Sequence, residues 1–188
     1  MKKKLTFVCL FLSGFLINIY SNDLPKNEHK VLRSLLYASI ESEDSLNSLF
    51  TYIFVLSKKN DITKTPLLLA YSGVGKALMA EYSFFPWKKL EHVNKGIELL
   101  DKAVRLDSNH LEIRFLRFSV LSNIPFFLGY SSGADSDAVF LYELLKSGNY
   151  KEDKELIKNV VRFLLDSERL DKNKQEDLSL IYNVALKQ

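Results

Sequence analysis

Apolar side chains recur every three or four residues along most of the chain, which is the spacing of amphipathic α-helices. The longest regular stripe follows Pro86 and consists of Leu90, Val93, Ile97, Leu100 and Val104. The lysine, glutamate and arginine residues of the same segment fall mostly on other positions of the helix. Proline fits the first turn of a helix, where its missing N–H costs nothing. The pattern therefore predicts a long amphipathic helix that begins at Pro86 and ends before Asp107.

Further segments show the same periodicity, and polar or glycine-rich breaks separate them. These predicted helices are 29–41, 46–58, 66–82, 111–124, 136–145, 154–170 and 175–187. The β-branched and aromatic run from Tyr52 to Val55 also fits a strand, but neither alternation nor a partner strand accompanies it. We therefore predict an all-α fold of about eight helices, stacked as antiparallel hairpins.

The stretch from Thr65 to Tyr130 is predicted to form the centre of the molecule. Its first two helices would close into a hairpin, with Thr65 as the cap of the first one. The next helix, 111–124, is apolar around most of its circumference and should be buried on two sides. In the preceding hairpin, the residues predicted to face inward include Val31, Ile40 and Phe54.

The N-terminus has the layout of a secretory signal peptide. Three lysines at positions 2–4 precede an uncharged run, Leu5 to Tyr20, and Ser21 and Asn22 follow it. We predict that residues 1–22 are the signal peptide and that 23–188 form one helical domain, periplasmic or extracellular and without a stable membrane span. The alternative is an uncleaved anchor, because the 18 residues from 5 to 22 nearly reach membrane-spanning length and lack a clean A-x-A site.

The composition argues against disulfide bonds in the mature domain and gives no support for a nucleic-acid partner. The chain has 188 residues, 47% of them hydrophobic, which is enough for a sizeable core. Its one cysteine, Cys9, lies in the predicted signal, so the mature domain cannot form disulfides. Removing the three signal lysines would leave 23 basic and 23 acidic residues, so the charge gives no argument for a nucleic-acid partner.

The predicted hairpin 67–106 resembles a tetratricopeptide repeat, a helix–turn–helix unit with small residues where its helices cross. The residues that carry the resemblance are Gly73, Gly96, Leu100 and Ala103, followed by Asp107-Ser108-Asn109. Ser108 stands where such repeats usually have proline. The chain is also similar to small exported bacterial proteins of this type. The resemblance implies a non-enzymatic module of the cell envelope that binds a protein or peptide, or serves as a scaffold, through a groove.

Motifs for cofactors and metals are incomplete. Residues 72–77 resemble the end of a phosphate-binding loop, but Ala70 and Ala77 replace its first glycine and its final Ser/Thr. The glycines there fit a helix crossing better. The histidines His29, His92 and His110 lack metal-ligand spacing and are predicted to be solvated. We therefore predict no catalytic residue, cofactor or metal.

The segment Asp135-Ser136-Asp137 lacks the glycine and glutamate of a calcium loop. It is predicted to cap the next helix.

Arg114 and Arg117 are neighbours on an otherwise apolar helix. In one interpretation they pair with acidic residues of adjacent helices and hold the layers in register; the candidate partners are Glu81, Asp101 and Glu112. In the other they anchor an anionic or carboxylate group of a partner in the groove.

Trp87, with Phe84 to Pro86, forms an aromatic loop at the predicted hairpin tip, and Phe127 and Tyr130 are considered with it. These rings either cap the core or, if exposed together, form a recognition surface. The predicted partner-binding residues are Trp87, Arg114, Arg117, Phe127 and Tyr130. The alternative function is an enzyme or small-molecule carrier with a pocket between helices, whose polar groups would be Arg114, Arg117 and Tyr130.

Overall fold

A computed structural model of the protein describes residues 24–148 and 153–187. These residues form eight α-helices and no strand, which confirms the predicted fold class. The helices are α1 (Lys26–Ser39), α2 (Glu43–Ser57), α3 (Pro66–Leu78), α4 (Pro86–Leu106), α5 (Leu111–Asn123), α6 (Ser131–Ser147), α7 (Lys154–Asp166) and α8 (Lys172–Lys187). Two connections contain short 3₁₀ helices, Ile62–Lys64 and Phe126–Leu128. The predicted signal peptide lies outside the described residues.

Consecutive helices pair as hairpins: α1 with α2, α3 with α4, α5 with α6 and α7 with α8. The hairpins stack because the first helix of one contacts the first helix of the next, and α2 and α4 also contact the hairpin that follows. The Tyr82 hydroxyl, after α3, donates to the Ser39 carbonyl at the end of α1, and the Tyr130 hydroxyl, before α6, donates to Asn94 of α4. The turns within the first three hairpins therefore lie at one end of the stack, which we call the hairpin end. The connections between hairpins lie at the opposite end.

Local chemistry explains where several helices begin. Pro66 and Pro86 occupy the first turns of α3 and α4, as predicted. The Ser42 hydroxyl accepts a hydrogen bond from the Ser45 N–H at 3.3 Å and caps α2. Thr65, in contrast, makes no side-chain cap hydrogen bond to α3; its hydroxyl donates to the Asp61 carbonyl at 3.0 Å.

Helices α3 and α4 cross where two glycines meet. A Cβ atom built on Gly96 would lie 2.7 Å from the Gly73 carbonyl oxygen, and one built on Gly73 would lie 2.9 Å from the Gly96 carbonyl oxygen. The two backbones are therefore in direct contact, which only residues without a side chain permit. This confirms the interpretation of these glycines as crossing residues.

Helix α5 is the shared wall of two hydrophobic clusters, as its apolar circumference predicted. Ile113 and Leu116 belong to a cluster built mainly by α1 to α4. Leu111, Phe115 and Phe118 face a second cluster that α6, α7 and α8 complete.

The inward prediction was wrong for three apolar side chains of the first hairpin. Val31, Ile40 and Phe54 are 41%, 60% and 59% exposed. Helical spacing identifies a common face, but among the described residues α1 and α2 pack mainly against each other and against α3, so part of that face stays uncovered.

The predicted start of the sixth helix was also wrong. Helix α6 begins at Ser131, so Asp135 lies inside it and does not cap it. The turn is made earlier by Gly129, whose φ of 83° is the left-handed conformation that glycine adopts readily. Gly133, in contrast, lies inside α6. Its missing side chain lets α5 approach closely, since an added Cβ would lie 3.1 Å from Leu121 Cδ1.

Candidate functional site

A cluster of exposed aromatic rings lies in the turn between α3 and α4. Phe84 is 88% exposed and Trp87 64% exposed, and Phe85 is also exposed. The rings contact one another: Phe84 meets Phe85 edge to face at 5.2 Å, and Phe85 stacks on Trp87 at 4.6 Å between centroids. These rings lie outside both hydrophobic clusters, so their apolar surface faces solvent.

The turn between α5 and α6 exposes a second apolar group. Pro125 follows α5 and opens a 3₁₀ turn in which Phe126 is 82% and Phe127 73% exposed. Tyr130, after Gly129, is half-buried, and its hydroxyl donates to Asn94 Oδ1 of α4 at 2.9 Å. This hydrogen bond ties the second turn to the side of α4.

The first turns of α4 connect the two groups. Trp87, Leu90 and Asn94 stand at i, i+3 and i+7 and therefore share one face over about 10 Å of helix. Leu90 is exposed on that face, between Trp87 and the Asn94–Tyr130 hydrogen bond. We define the aromatic end as the exposed apolar residues of this surface: Phe84, Phe85, Trp87, Leu90, Phe126, Phe127 and Leu128.

Arg114 and Arg117 are largely buried and share the carboxylate of Asp137, which is fully buried. Arg114 Nη1 donates to Asp137 Oδ1 at 2.9 Å, and Arg117 Nε donates to Oδ2 at 2.7 Å. Arg117 Nη1 also donates to Asp101 Oδ1 at 2.9 Å. Burial disfavours the charge of Arg117, but the hydrogen bonds and charge of Asp137, then Asp101, outweigh it and raise its pKa above the ordinary value.

Of the partners predicted for this arginine pair, Asp101 is correct, whereas Glu81 is exposed and bonds neither arginine. Asp137 was missed because the short acidic segment around it was interpreted as a cap. One signal could have found it: Asp137 lies three residues after Ala134 and four before Leu141, two apolar positions on the buried face of α6.

Glu112, the third predicted partner, belongs to another buried cluster. Its carboxylate accepts from Arg33 Nε of α1 at 3.0 Å and from the Tyr71 hydroxyl of α3 at 2.6 Å. Arg33 Nη1 also donates to Asp153 at 3.0 Å, at the start of α7. Glu112 and Asp153 lie 79 and 120 positions from Arg33 in the sequence, so no local sequence pattern indicates the cluster.

Tyr71 and Arg33, two members of this second cluster, keep their protons near neutral pH. Burial and the Glu112 carboxylate raise the pKa of Tyr71 well above its ordinary value, so the phenol remains a hydrogen-bond donor. Burial opposes the charge of Arg33, but the hydrogen bond and charge of Glu112 outweigh it and raise its pKa. Both arginine clusters therefore act as structural ties between helices.

The histidines are less exposed than predicted. All three are half-buried, and Nε2 of His29 and Nδ1 of His92 are buried without a hydrogen-bond partner among the described residues. His29 Nδ1 lies 3.8 Å from Glu112 Oε2. Within the described part of the chain, no group of three or more His, Cys, Asp or Glu side chains is arranged to hold a metal ion.

No protein family, curated protein or solved structure matches the chain. Among residues 24–148 and 153–187, no helix combines the length and the apolar composition needed to cross a membrane.

Proposed function

We propose that the protein is an exported, tetratricopeptide-like helical module without catalytic activity, which binds a protein or peptide partner in the cell envelope. The aromatic end is the binding surface in this proposal. The observation that carries it is the exposure of Phe84, Trp87, Phe126 and Phe127 on two turns at one end of the stack.

The composition of the aromatic end favours a protein partner. Interface centres are enriched in Trp and Phe and depleted in charge, with polar residues around the rim. The second turn has no charged residue from position 123 to 133. Charged side chains lie beside the first turn, where Lys88 Nζ bonds Glu91 at 3.0 Å. The aromatic end therefore combines exposed aromatic rings with charged side chains beside them.

The contact is proposed at the aromatic end because the other predicted site is occupied. Arg114 and Arg117 already donate to Asp137, so a partner carboxylate would have to displace a buried one. We assign these arginines to helix packing, and Trp87 and Phe127 to partner contact, with Tyr130 holding the second turn on α4.

Site-specific photo-crosslinking in the producing cells tests this function. A benzoyl-phenylalanine photo-crosslinker replaces Phe84 in one variant and Phe127 in another. Phe54 gives a matched control, because it is 59% exposed and lies on the last two turns of α2, far from the hairpin end. We expect both test positions to yield the same protein adduct and position 54 not to yield it.

Two results would contradict the proposal: no adduct at positions 84 and 127, or the same adducts at position 54. The purified partner then provides a direct measurement, because Trp87 is the one tryptophan of the chain. Its emission is expected to shift to shorter wavelength on binding, as the ring leaves water.

A further inference from the structure

A cavity of about 330 Å³ lies between α2 and α3 at the hairpin end. Its apolar walls are Leu46, Phe50, Met79 and the ring of Tyr82. The Tyr82 hydroxyl is already used, since it donates to the Ser39 carbonyl at 2.8 Å, so this residue presents its ring to the cavity wall. The volume lies at the small end of the range of ligand pockets, about 300 to 1,000 Å³.

Lys76 supplies the cation of this cavity. Its ammonium contacts Met79 Sδ at 3.5 Å, and a thioether is a weak acceptor. No carboxylate of the described residues lies within 4.0 Å of Lys76 Nζ, although Glu43 lines the same cavity. The ammonium therefore keeps hydrogen-bond donors available for an anion.

Three lysines, Lys76, Lys88 and Lys95, lie near His92. Burial and the charge of Lys76 lower the pKa of the neighbouring His92, and Lys88 and Lys95 act in the same direction. Glu91 acts against them, but its carboxylate already bonds both Lys88 and Lys95. An anionic ligand is thus complementary to this part of the surface.

We propose that the α2–α3 cavity binds an apolar group that carries a single carboxylate, with Lys76 on the carboxylate and Phe50, Met79 and Tyr82 around the apolar part. Asn47, Ser83 and Glu43 also line the cavity, but Lys76 is the one cation among the described residues that line it. One ammonium beside an apolar wall suits a monoanion, whereas a phosphate recruits several donors. Two sources have this chemistry: a free medium-chain fatty acid, and the C-terminal apolar residue of a peptide. The site is distinct from the aromatic end and does not depend on the function proposed for it.

Methionine-methyl NMR of the purified protein tests the proposal. The chain has two methionines, Met1 and Met79, so the Met79 methyl is a reporter inside the cavity, and a Met79→Leu variant assigns it. The probes are octanoate and a short peptide with a C-terminal leucine. Octanamide and the C-terminal amide of the same peptide are the neutral controls. Lys76→Met removes the charge, and Lys102→Met, an exposed lysine of α4, is the control variant.

We expect one of the acids to shift the Met79 signal saturably and its amide to bind at least about tenfold more weakly. Lys76→Met should weaken acid binding by a similar factor, and Lys102→Met should not. The acid that shifts the Met79 signal shows whether the ligand is a fatty acid or the C-terminus of a peptide. The proposal is overturned if neither acid gives a saturable shift, if acid and amide bind equally, or if Lys76→Met binds like the wild type. The acid-against-amide comparison uses the wild type, so it decides the question even if Lys76→Met fails to fold.

Discussion

One buried carboxylate, that of Asp137, receives hydrogen bonds from two guanidinium groups. Each guanidinium is largely buried, and Arg114 also covers the face of the Phe140 ring at 4.1 Å. Burying charges is costly, and here their mutual attraction and hydrogen bonds offset the cost. The energetic importance of Asp137 therefore lies in what its loss would leave behind: a largely buried Arg114 without its carboxylate, and an Arg117 that keeps only the half-exposed Asp101 among the described residues.

Replacing Asp137 with Asn should destabilise the protein by about 3 kcal/mol, because removing one partner of a buried pair leaves uncompensated charge. Urea unfolding measures this free energy. Asp166→Asn is the control, since Asp166 and its partner Arg162 are both highly exposed; it should change stability by less than about 0.5 kcal/mol. An Asp137→Asn protein as stable as this control would show that the buried ion pairs are not required.

At the scale of helices, the α3–α4 crossing depends on the missing side chains of Gly73 and Gly96. An alanine at position 96 would place its Cβ 2.7 Å from the Gly73 carbonyl oxygen and 2.8 Å from the Ala77 backbone nitrogen. Backbone atoms on both sides cannot move away as a flexible side chain can. The helices must therefore separate, which loosens the packing along their whole contact.

Gly96→Ala is expected to cost about 1 to 2 kcal/mol, because overpacking exceeds the gain of about 1 kcal/mol in helix propensity. Gly75→Ala is the matched control within α3. Its added Cβ would lie 3.2 Å from the edge of the Phe50 ring, a side chain that can shift; this small strain offsets most of the same propensity gain, so stability should change by less than about 0.5 kcal/mol. Thermal unfolding of both variants measures the difference, and equal midpoints would contradict the proposed role of the crossing.

The helix boundaries show how much of the fold could be predicted from the sequence. Periodicity and proline located α4 from Pro86 to Leu106, because both signals are local. The α6 start was misplaced because a glycine has two uses: Gly129 takes a positive φ, whereas Gly133 allows close packing against Leu121. Composition cannot distinguish these uses, since the second depends on a residue from another helix.

Across the whole molecule, Arg33 joins the first hairpin to the last one. Its guanidinium bonds Glu112 of α5 and Asp153 at the start of α7, and Asn159 of α7 also donates to the Tyr37 hydroxyl at 3.0 Å. These bonds link α1 to α7 and so close the stack. Charge alone could not predict this closure, because its partners are distant in sequence and Arg33 has the spacing of an ordinary surface residue. In the candidate site, the aromatic residues beside Pro86 and Pro125 could be recognised in the sequence. Whether they are exposed could be seen only once the helices were packed together.

The closure should make stability sensitive to acid through Asp153. Burial opposes its charge, but the Leu156 N–H and the Arg33 guanidinium outweigh it and hold the pKa of Asp153 below its ordinary value. A carboxylate with a lowered folded-state pKa stabilises the protein above its unfolded pKa of about 3.9. That contribution is lost as the pH falls through the folded-state pKa.

Asp153→Asn isolates this contribution, because asparagine can still cap α7 through the Leu156 N–H but lacks the charge that holds Arg33. We expect the variant to be less stable by about 1 kcal/mol above roughly pH 5, a modest value because Asp153 is partly exposed. The difference should narrow below the unfolded pKa of about 3.9, because the wild-type carboxyl then becomes neutral as well. Urea unfolding of both proteins between roughly pH 3 and 7 gives the comparison, in which the other carboxylates cancel. A difference that stays constant over this range, or that widens in acid, would mean that the charge of Asp153 does not hold α1 and α7 together.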